Sequence, residues 1–513
     1  MKLRPFATLA TRQTALVLAL SFLGGALDPR VSFSRASPAT YVGSDGLLKT
    51  AAVDAPRFDY DSTTPAGTTG VELATVQSAT MTGSVGFTPI VSPLGDAAKT
   101  YKVSYTLNQT SGASQASFGG VGGPVHTGSA SGNVSFFARS DGTNGATYFC
   151  NAAVGAVTNF SVQEVTFTPR GLLIEEARTN LLLWSRDFTN AAWTRPDSTT
   201  QLNQVGIGGV ANSACLVTEG STGNAQVNQT QAVTASATVT GSFVFKRGNT
   251  DWIRISPRDN NLAGVDAWFN LATGAKGTTT LFGTGASNGS SAIQGLGGGW
   301  YRCSATFTTQ ATTTSVQTFC CSASADASQS RVNNATYIVD CAQLEVGAFA
   351  TSIIPTTTAA VTRGGDTALM NGTNLTSWLT GNTGTVVAEM SGRFGLGGAL
   401  WSFDAAGNTL GEYVSDANNI AVTFESVPGA ASPISVNTLN TFKSAYGFAP
   451  NDRAYCIGGG SVSTSATGGL PASVDTLRFG HNRANVGIGS MYLRRFTYYN
   501  TRLPDATLQA LTA

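Results

Sequence analysis

Trp252, Arg254, Arg258, Asp259 and Asn260 stand together in the segment DWIRISPRDNN, a grouping suited to holding sugars. A sugar ring offers C–H faces to an aromatic ring and hydroxyls to amide, carboxylate or guanidinium groups. On an extended chain Trp252 and Arg254, two residues apart, fall on one face. Trp193 and Trp268 are further aromatic candidates, and Trp401 and Tyr413 flank a Gly/Asn turn that could edge a second groove. The competing reading is structural, because large aromatic residues usually serve the core. Trp300 and Tyr301, in the string GWYR, are read as structural.

Other chemistry is sparse. The two histidines, His126 and His481, read as solvated loop residues with no Ser, Cys or Asp constellation that would make a triad. Glycoside hydrolysis needs two carboxylates about 5–10 Å apart. On a strand an acid–x–acid string would place such a pair on one face. The C-terminal region has none: Asp404, Glu412, Asp416 and Glu425 are scattered, and the adjacent Glu175 and Glu176 would point opposite ways. No phosphate-binding GxxxxGK[ST] loop occurs. These absences predict a chain that is not an enzyme. Seven cysteines, without a C-x-x-C pair, fit neither zinc nor a disulfide framework. They read as buried free thiols, in keeping with assembly in a reducing cytoplasm.

The elements that would carry these residues are strands. Charged residues make up 12% of the 513, so Ser, Thr, Asn, Gln and 59 glycines must supply the polar surface and the turns. Apolar and polar residues alternate in Tyr101–Gln109, Asn133–Ser140 and many later segments, the period of half-buried strands. The predicted class is all-β, with tandem β-sandwich (jelly-roll) domains and few short helices. A net charge of +1 without a basic run argues against a nucleic-acid partner. No apolar run reaches the ~20 residues of a membrane span. Lys2, Arg4 and the apolar run Ala15–Leu23 mimic an export signal, while Leu16–Phe22 reads equally as a first strand.

Longer strings add a resemblance. LDPRVSFSRASPATYV, PRFDYD and RGLLIEEARTNLL resemble a signature of phage tail-fibre and head-spike proteins, through Asp28, Pro29, Arg30, Phe33, Arg35, Tyr41, Arg57, Phe58, Asp59, Tyr60, Gly171, Glu175, Arg178 and Asn180. The chain departs from that pattern by carrying about a hundred residues between the two halves. The GWYR strand and the ending AQLEVGAFATSIIP resemble the jelly-roll modules of such fibres, and the C-terminal region resembles a concanavalin-like or laminin-G-like sandwich.

The resulting division is 1–66 as an amino-terminal signature module continued by 170–182, 67–169 as an inserted β-sandwich, and 183–355 as a carbohydrate-binding-like jelly roll. A Thr-rich linker at 356–366 then leads to a laminin-G-like sandwich at 367–513, closed by a short helix N-capped near Asp505. The resemblance implies no required cofactor. Such jelly rolls often carry a structural calcium, for which Asp187, Asn190 and Asp340 would be the ligands, although related modules commonly have an aromatic residue or glycine where Asp340 stands. It further implies a virion-surface spike or fibre, assembled in the host cytoplasm as a homo-oligomer. Its partners would be a host cell-surface glycan and other virion proteins. The alternatives are a purely structural decoration protein and a secreted polysaccharide-degrading enzyme.

Overall fold

A computed structural model describes residues 16–67, 72–83, 86–89, 95, 99–119, 121–140, 142–393, 399–405, 408–413, 440–481 and 490–513. Over these residues the chain is all-β, with two short helices, Thr373–Thr376 and Asp505–Thr512. None of the described helices is long and apolar enough to cross a membrane.

Residues 183–355 form a jelly roll of two antiparallel sheets. The six-stranded sheet runs Ser198–Gln204, Ala214–Glu219, Thr336–Val346, Thr238–Arg247, Trp300–Thr308, Ser287–Gly295. The five-stranded sheet runs Val227–Ala232, Ser315–Ala323, Trp252–Asp259, Gly264–Asn270, Ala275–Phe282. Their facing side chains, among them Phe243, Phe245, Ile253, Ile255, Phe269 and Phe307, make one apolar core. All seven cysteines are buried and unbonded, three of them in this core.

The C-terminal sandwich is built differently from its sequence outline. Its larger sheet has the order Ser463–Ser465, Asp452–Ile457, Asn440–Ala449, Gly384–Arg393, Ser490–Tyr499, Thr166–Glu175, Arg57–Gly67, and Leu16–Ser21 also pairs with Ser490–Tyr499. The second sheet begins with Ser32–Ser34 and continues through Thr367–Asn371, Thr476–Phe479, Ala399–Ala405 and Asn408–Tyr413. The strands expected to form a separate module at 1–66 and 170–182 therefore complete the sandwich assigned to 367–513. Leu18, Leu20, Phe22, Phe58, Leu172 and Ile174 share its core with Trp401, Phe448 and Phe496. The physical reason is edge closure: Ser490–Tyr499 needs partners on both sides, and strands from the start of the chain supply them. The segment NIAVTFES, residues 419–426, reads as a strand by its alternation and lies outside the described residues. Asp505 opens the last helix rather than capping it. Pro504 holds the cap position without a side-chain bond, and Arg502 pairs with Asp505 at 2.6 Å.

The insert packs its apolar side chains inside one continuous six-stranded sheet rather than between two. Its long strands Thr100–Phe118 and Thr147–Glu164 slip register at three places, and such bulges bend a sheet sharply. Gly112, at φ 78°, and Gly155, at φ 145°, sit at this bend. A Cβ at either would lie about 2 Å from the carbonyl oxygen of the facing strand.

Candidate functional site

The outer face of the jelly roll's five-stranded sheet carries the residues singled out for sugar. Alternation along Trp252–Asp259 sends Ile253 and Ile255 into the core and leaves Trp252, Arg254, Ser256 and Arg258 on the opposite face. Registers place Trp268 and Cys321 opposite Arg254, Phe319 opposite Ser256 and Gln317 opposite Arg258. The Arg254 guanidinium lies 5.3 Å from the Phe319 ring centre and 6.0 Å from that of Trp268, and Arg258 lies 5.0 Å from Phe319. Arg258 donates two hydrogen bonds to Gln317 Oε1, at 2.8 and 2.6 Å, and Gln317 donates to Asn228 Oδ1 at 3.1 Å. Asp266 pairs with Arg254 at 3.5 Å. Burial, and then repulsion from Arg254, lowers the Arg258 pKa.

The face is graded in depth. Trp268, Phe319 and Arg254 are buried, with the Trp268 indole N–H bonded to Ser328 O in the loop that crosses them. Trp252, Arg258 and Gln317 are half-buried and reachable. Trp252 near one end of the strand, and Arg258 with Gln317 near the other, are thus the reachable groups; Arg254 and Ser256 between them are buried, and cation–π contacts hold Arg254 and Arg258 over Phe319.

Several sequence candidates are structural instead. Trp193 is 2% exposed in the jelly-roll core, and its indole N–H bonds Trp184 O at 3.0 Å. Trp401 is 1% exposed in the sandwich core and donates to Glu412 at 2.6 Å. Asp259 is buried and ties its own turn together, accepting from the N–H groups of Asn261 and Ala263 and from the Thr313 hydroxyl at 2.8 Å. Asn260 accepts from the Thr314 N–H at 2.8 Å across to the next strand. Tyr413 pairs with Ala399 through its backbone, and its side chain lies outside the described residues. His481, expected in a solvated loop, is buried with its Nδ1 2.9 Å from Phe479 O.

The calcium ligands do not assemble. Asp340 is fully buried and grips Arg186 through both carboxylate oxygens, at 2.8 and 2.7 Å, and also accepts from Ile207 N–H. A bulge at Cys341, φ 50°, sets it there. Asp187 caps its own turn at Thr189, and Asn190 does the same at Ala192. A calcium shell needs six to eight oxygens, and a guanidinium already occupies the strongest of these donors. Among the described residues no cluster of three acids, histidines or cysteines is placed to hold a metal. Chelation with EDTA is therefore expected to leave the melting temperature unchanged. A fall of several degrees that calcium reverses would show that Asp340 exchanges partners.

Three signature residues, Arg35, Arg57 and Glu175, meet Arg363 and Asp366 in a buried ion cluster that sequence reasoning missed. Arg57 pairs with Glu175 at 2.8 Å and with Asp366, Arg35 pairs with Asp366 at 3.1 Å, and Arg363 pairs with Glu175 at 3.6 Å. All five side chains are at most 1% exposed. Arg57 also donates to Thr40 O at 3.0 Å and to the Ser352 hydroxyl at 2.9 Å, and Ser352 N–H donates to Glu175 at 2.9 Å. Burial alone would raise the Glu175 pKa, but Arg363 and Arg57 outweigh it and hold the carboxyl well below the usual range. The cluster thereby joins the signature, the end of the jelly roll and the former linker.

Beside it lies a cavity of about 340 Å³, lined by Tyr41, Asp59, Arg170, Glu175, Arg302 and Arg393 among others. Burial raises the Asp59 pKa against the pull of Arg170, while Asp59 accepts from Val42 N–H at 2.5 Å and from the Tyr492 hydroxyl at 2.8 Å. Two carboxyl groups with opposed shifts, Asp59 up and Glu175 down, thus line one space.

No protein-family model and no curated protein matches the chain. Among solved structures, the CBM22-1–CBM22-2 tandem of Xyn10C from Paenibacillus barcinonensis is similar at 12% identity and TM-score 0.21, over 66% of this chain and 99% of that one. A Trypanosoma rangeli sialidase, in complex with 2,3-difluorosialic acid, is similar at 11% identity and TM-score 0.23, over 95% of this chain and 98% of that one. Likenesses this slight carry no argument about what the chain does. The expectation that it is not an enzyme is nonetheless withdrawn: an enzyme stands among its matches, and Asp59 and Glu175, distant in sequence, line one cavity.

Proposed function

We propose that the chain is a glycan-binding protein of a phage-like particle surface, gripping host polysaccharide on the outer face of its jelly roll. The observation that carries the reading is that one face of the sheet presents a half-buried ring, Trp252, and, further along the same strand, the half-buried Arg258–Gln317 pair over Phe319. The phage assignment rests on the signature from Asp28 to Asn180, three of whose charged residues, Arg35, Arg57 and Glu175, lie in the buried ion cluster. Many copies on one particle would turn weak single-site binding into firm attachment through effective concentration.

A glycan array probed with the full-length chain tests this. The whole chain is needed, because a fragment starting at residue 183 would lose the strands Leu16–Ser21, Arg57–Gly67 and Thr166–Glu175 from the C-terminal sandwich. Trp252→Ala is expected to weaken binding to the captured glycan about tenfold, ~1.4 kcal/mol, at an unchanged melting temperature. An array with no signal, or full binding by the variant, overturns the proposal. Reducing-sugar release from the same glycan, assayed in parallel, addresses turnover.

A further inference from the structure

We propose that Ser324–Ser330 is a flap that lifts from the outer face of the jelly roll to admit a glycan, and that Trp268, Arg254 and Asp266 beneath it form the middle of the binding groove. The inference rests on the outer-face reading above and adds a gate to it.

The path of the segment makes it a flap. It leaves the strand Ser315–Ala323, spans the sheet as far as the edge strand Ala275–Phe282, and returns. Ser324 N–H bonds Ser330 O at 3.0 Å, so the two ends meet at one hinge. At the tip Asp326 accepts from the Thr278 N–H at 2.7 Å and from its hydroxyl at 2.9 Å. Ala327, at φ 56°, turns the chain back. On the return Ser328 O accepts from the Trp268 indole at 2.7 Å, and the Gln329 amide donates to Asp266 at 3.4 Å.

Composition leaves the flap loosely held. Its sequence, SADASQS, has no large apolar side chain, and every residue but Ser328 is exposed. A few hydrogen bonds hold it down, each of small net worth against bonds to water. Segments with so little buried apolar surface open at low free energy.

The groups beneath are incompletely bonded. Trp268, Asp266, Arg254 and Ser256 lie on the face turned away from the jelly-roll core, yet each is at most 7% exposed. Arg254 reaches Asp266 only at 3.5 Å. Arg254 Nε and Ser256 Oγ are buried with no hydrogen-bond partner among the described residues. Buried polar atoms left without bonds are costly, and sugar hydroxyls both donate and accept. The bonds that the flap makes, an acceptor for the Trp268 N–H and a donor to Asp266, are ones that a hydroxyl can replace. Gly277 links the flap to the reachable end of the face, because a Cβ there would collide with both the Asp326 carboxylate and the Trp252 ring. With the flap down, the groove is open only at its two ends. With it raised, Trp252, Trp268, Arg254 and Arg258 lie along one strand path of roughly 20 Å, at ~3.3 Å per residue. That length suits a run of sugar units rather than a single ring.

The test pins the flap. In the full-length chain, Thr278→Cys with Asp326→Cys replaces side chains that already meet at 2.9 Å, so a disulfide can close between them. All seven native cysteines are buried and unbonded, so dithiothreitol acts on the new bond alone. On a glycan array the reduced form is expected to bind about tenfold or more tighter than the oxidised form, since apparent affinity scales with the open fraction. Asp326→Ala, which frees the tip, should bind tighter than the wild type for the same reason. Equal binding by the two redox forms, with the disulfide confirmed by mass, overturns the flap, and so does equal or weaker binding by Asp326→Ala. An array silent for every form sinks the outer-face reading instead. The flap is then decided without a ligand, by fluorine NMR of the chain labelled with fluorotryptophan, the Trp268 line being assigned through Trp268→Phe. Asp326→Ala should move that line toward its position in the unfolded chain, and an unmoved line overturns the proposal.

Discussion

Arg57→Met is expected to destabilise the C-terminal sandwich by about 3–5 kcal/mol, the cost of leaving buried carboxylates without their partner. Arg57 bridges Glu175 and Asp366 from the centre of a cluster in which each partner is at most 1% exposed. Met keeps most of the side chain's volume, so the loss would report charge rather than a cavity. Arg35 and Arg363 would remain, but they sit at 3.1 Å from Asp366 and 3.6 Å from Glu175, one contact each. Set against a domain stability of roughly 5–15 kcal/mol, such a loss moves the urea midpoint far. Hydrogen exchange in Arg57–Gly67 and Thr166–Glu175 locates it, because these strands pair directly and carry Arg57 and Glu175. Arg30→Ala makes the comparison. Its pair with Asp28 spans 2.8 Å but is 36% and 23% exposed, and exposed pairs contribute about 0–1 kcal/mol. If the two variants unfold at the same urea concentration, the cluster is not the clasp described here.

That clasp shows what could be read from the chain and what could not. Period-two alternation reveals strands because it reflects a local fact: neighbouring residues face opposite sides of a sheet. It separates Trp252 and Arg254 from Ile253 and Ile255 correctly. It fails at Trp401, because Ala399–Ala405 is buried on both faces and parity no longer distinguishes core from surface. Trp193 fails for another reason, since it lies outside any regular strand and nothing local marks its burial.

Partner choice is a long-range property. Leu20 pairs with Phe496, and no feature near either residue announces the other. The division at residue 66 follows the end of the signature's first half, yet the strand Arg57–Gly67 runs through that boundary. Charged residues in the signature are legible as a pattern, and their purpose appears only when Arg35, Arg57, Glu175 and Asp366 are seen in one place. The cavity beside them follows the same logic, with walls drawn from residues 40 to 492.

Glu412 should make the C-terminal sandwich lose stability as pH rises through neutrality. Its carboxyl is fully buried and accepts from the Trp401 indole at 2.6 Å, the Ser444 hydroxyl at 2.8 Å and the Tyr455 hydroxyl at 2.9 Å. Burial pushes its pKa up to about 7, although all three donors pull it down. A carboxyl whose folded pKa is raised binds its proton more tightly in the native state. Its contribution is therefore complete below the ordinary value near 4.5 and is lost as pH climbs through 7. A difference of that size corresponds to up to about 3 kcal/mol by pH 8.5. Glu412→Gln fixes the neutral state: its carbonyl can accept from Trp401 and Ser444, and its amide can donate to a reoriented Tyr455 hydroxyl. The variant should match the wild type near pH 5 and exceed it at pH 8.5. Other buried groups titrate as well, among them Asp59, whose pKa burial also raises, so the measured quantity is the wild-type minus variant difference. They are common to both proteins and cancel. A difference that stays flat from pH 5 to 8.5 would mean that Glu412 is charged in the folded core at neutral pH, with its three donors outweighing burial.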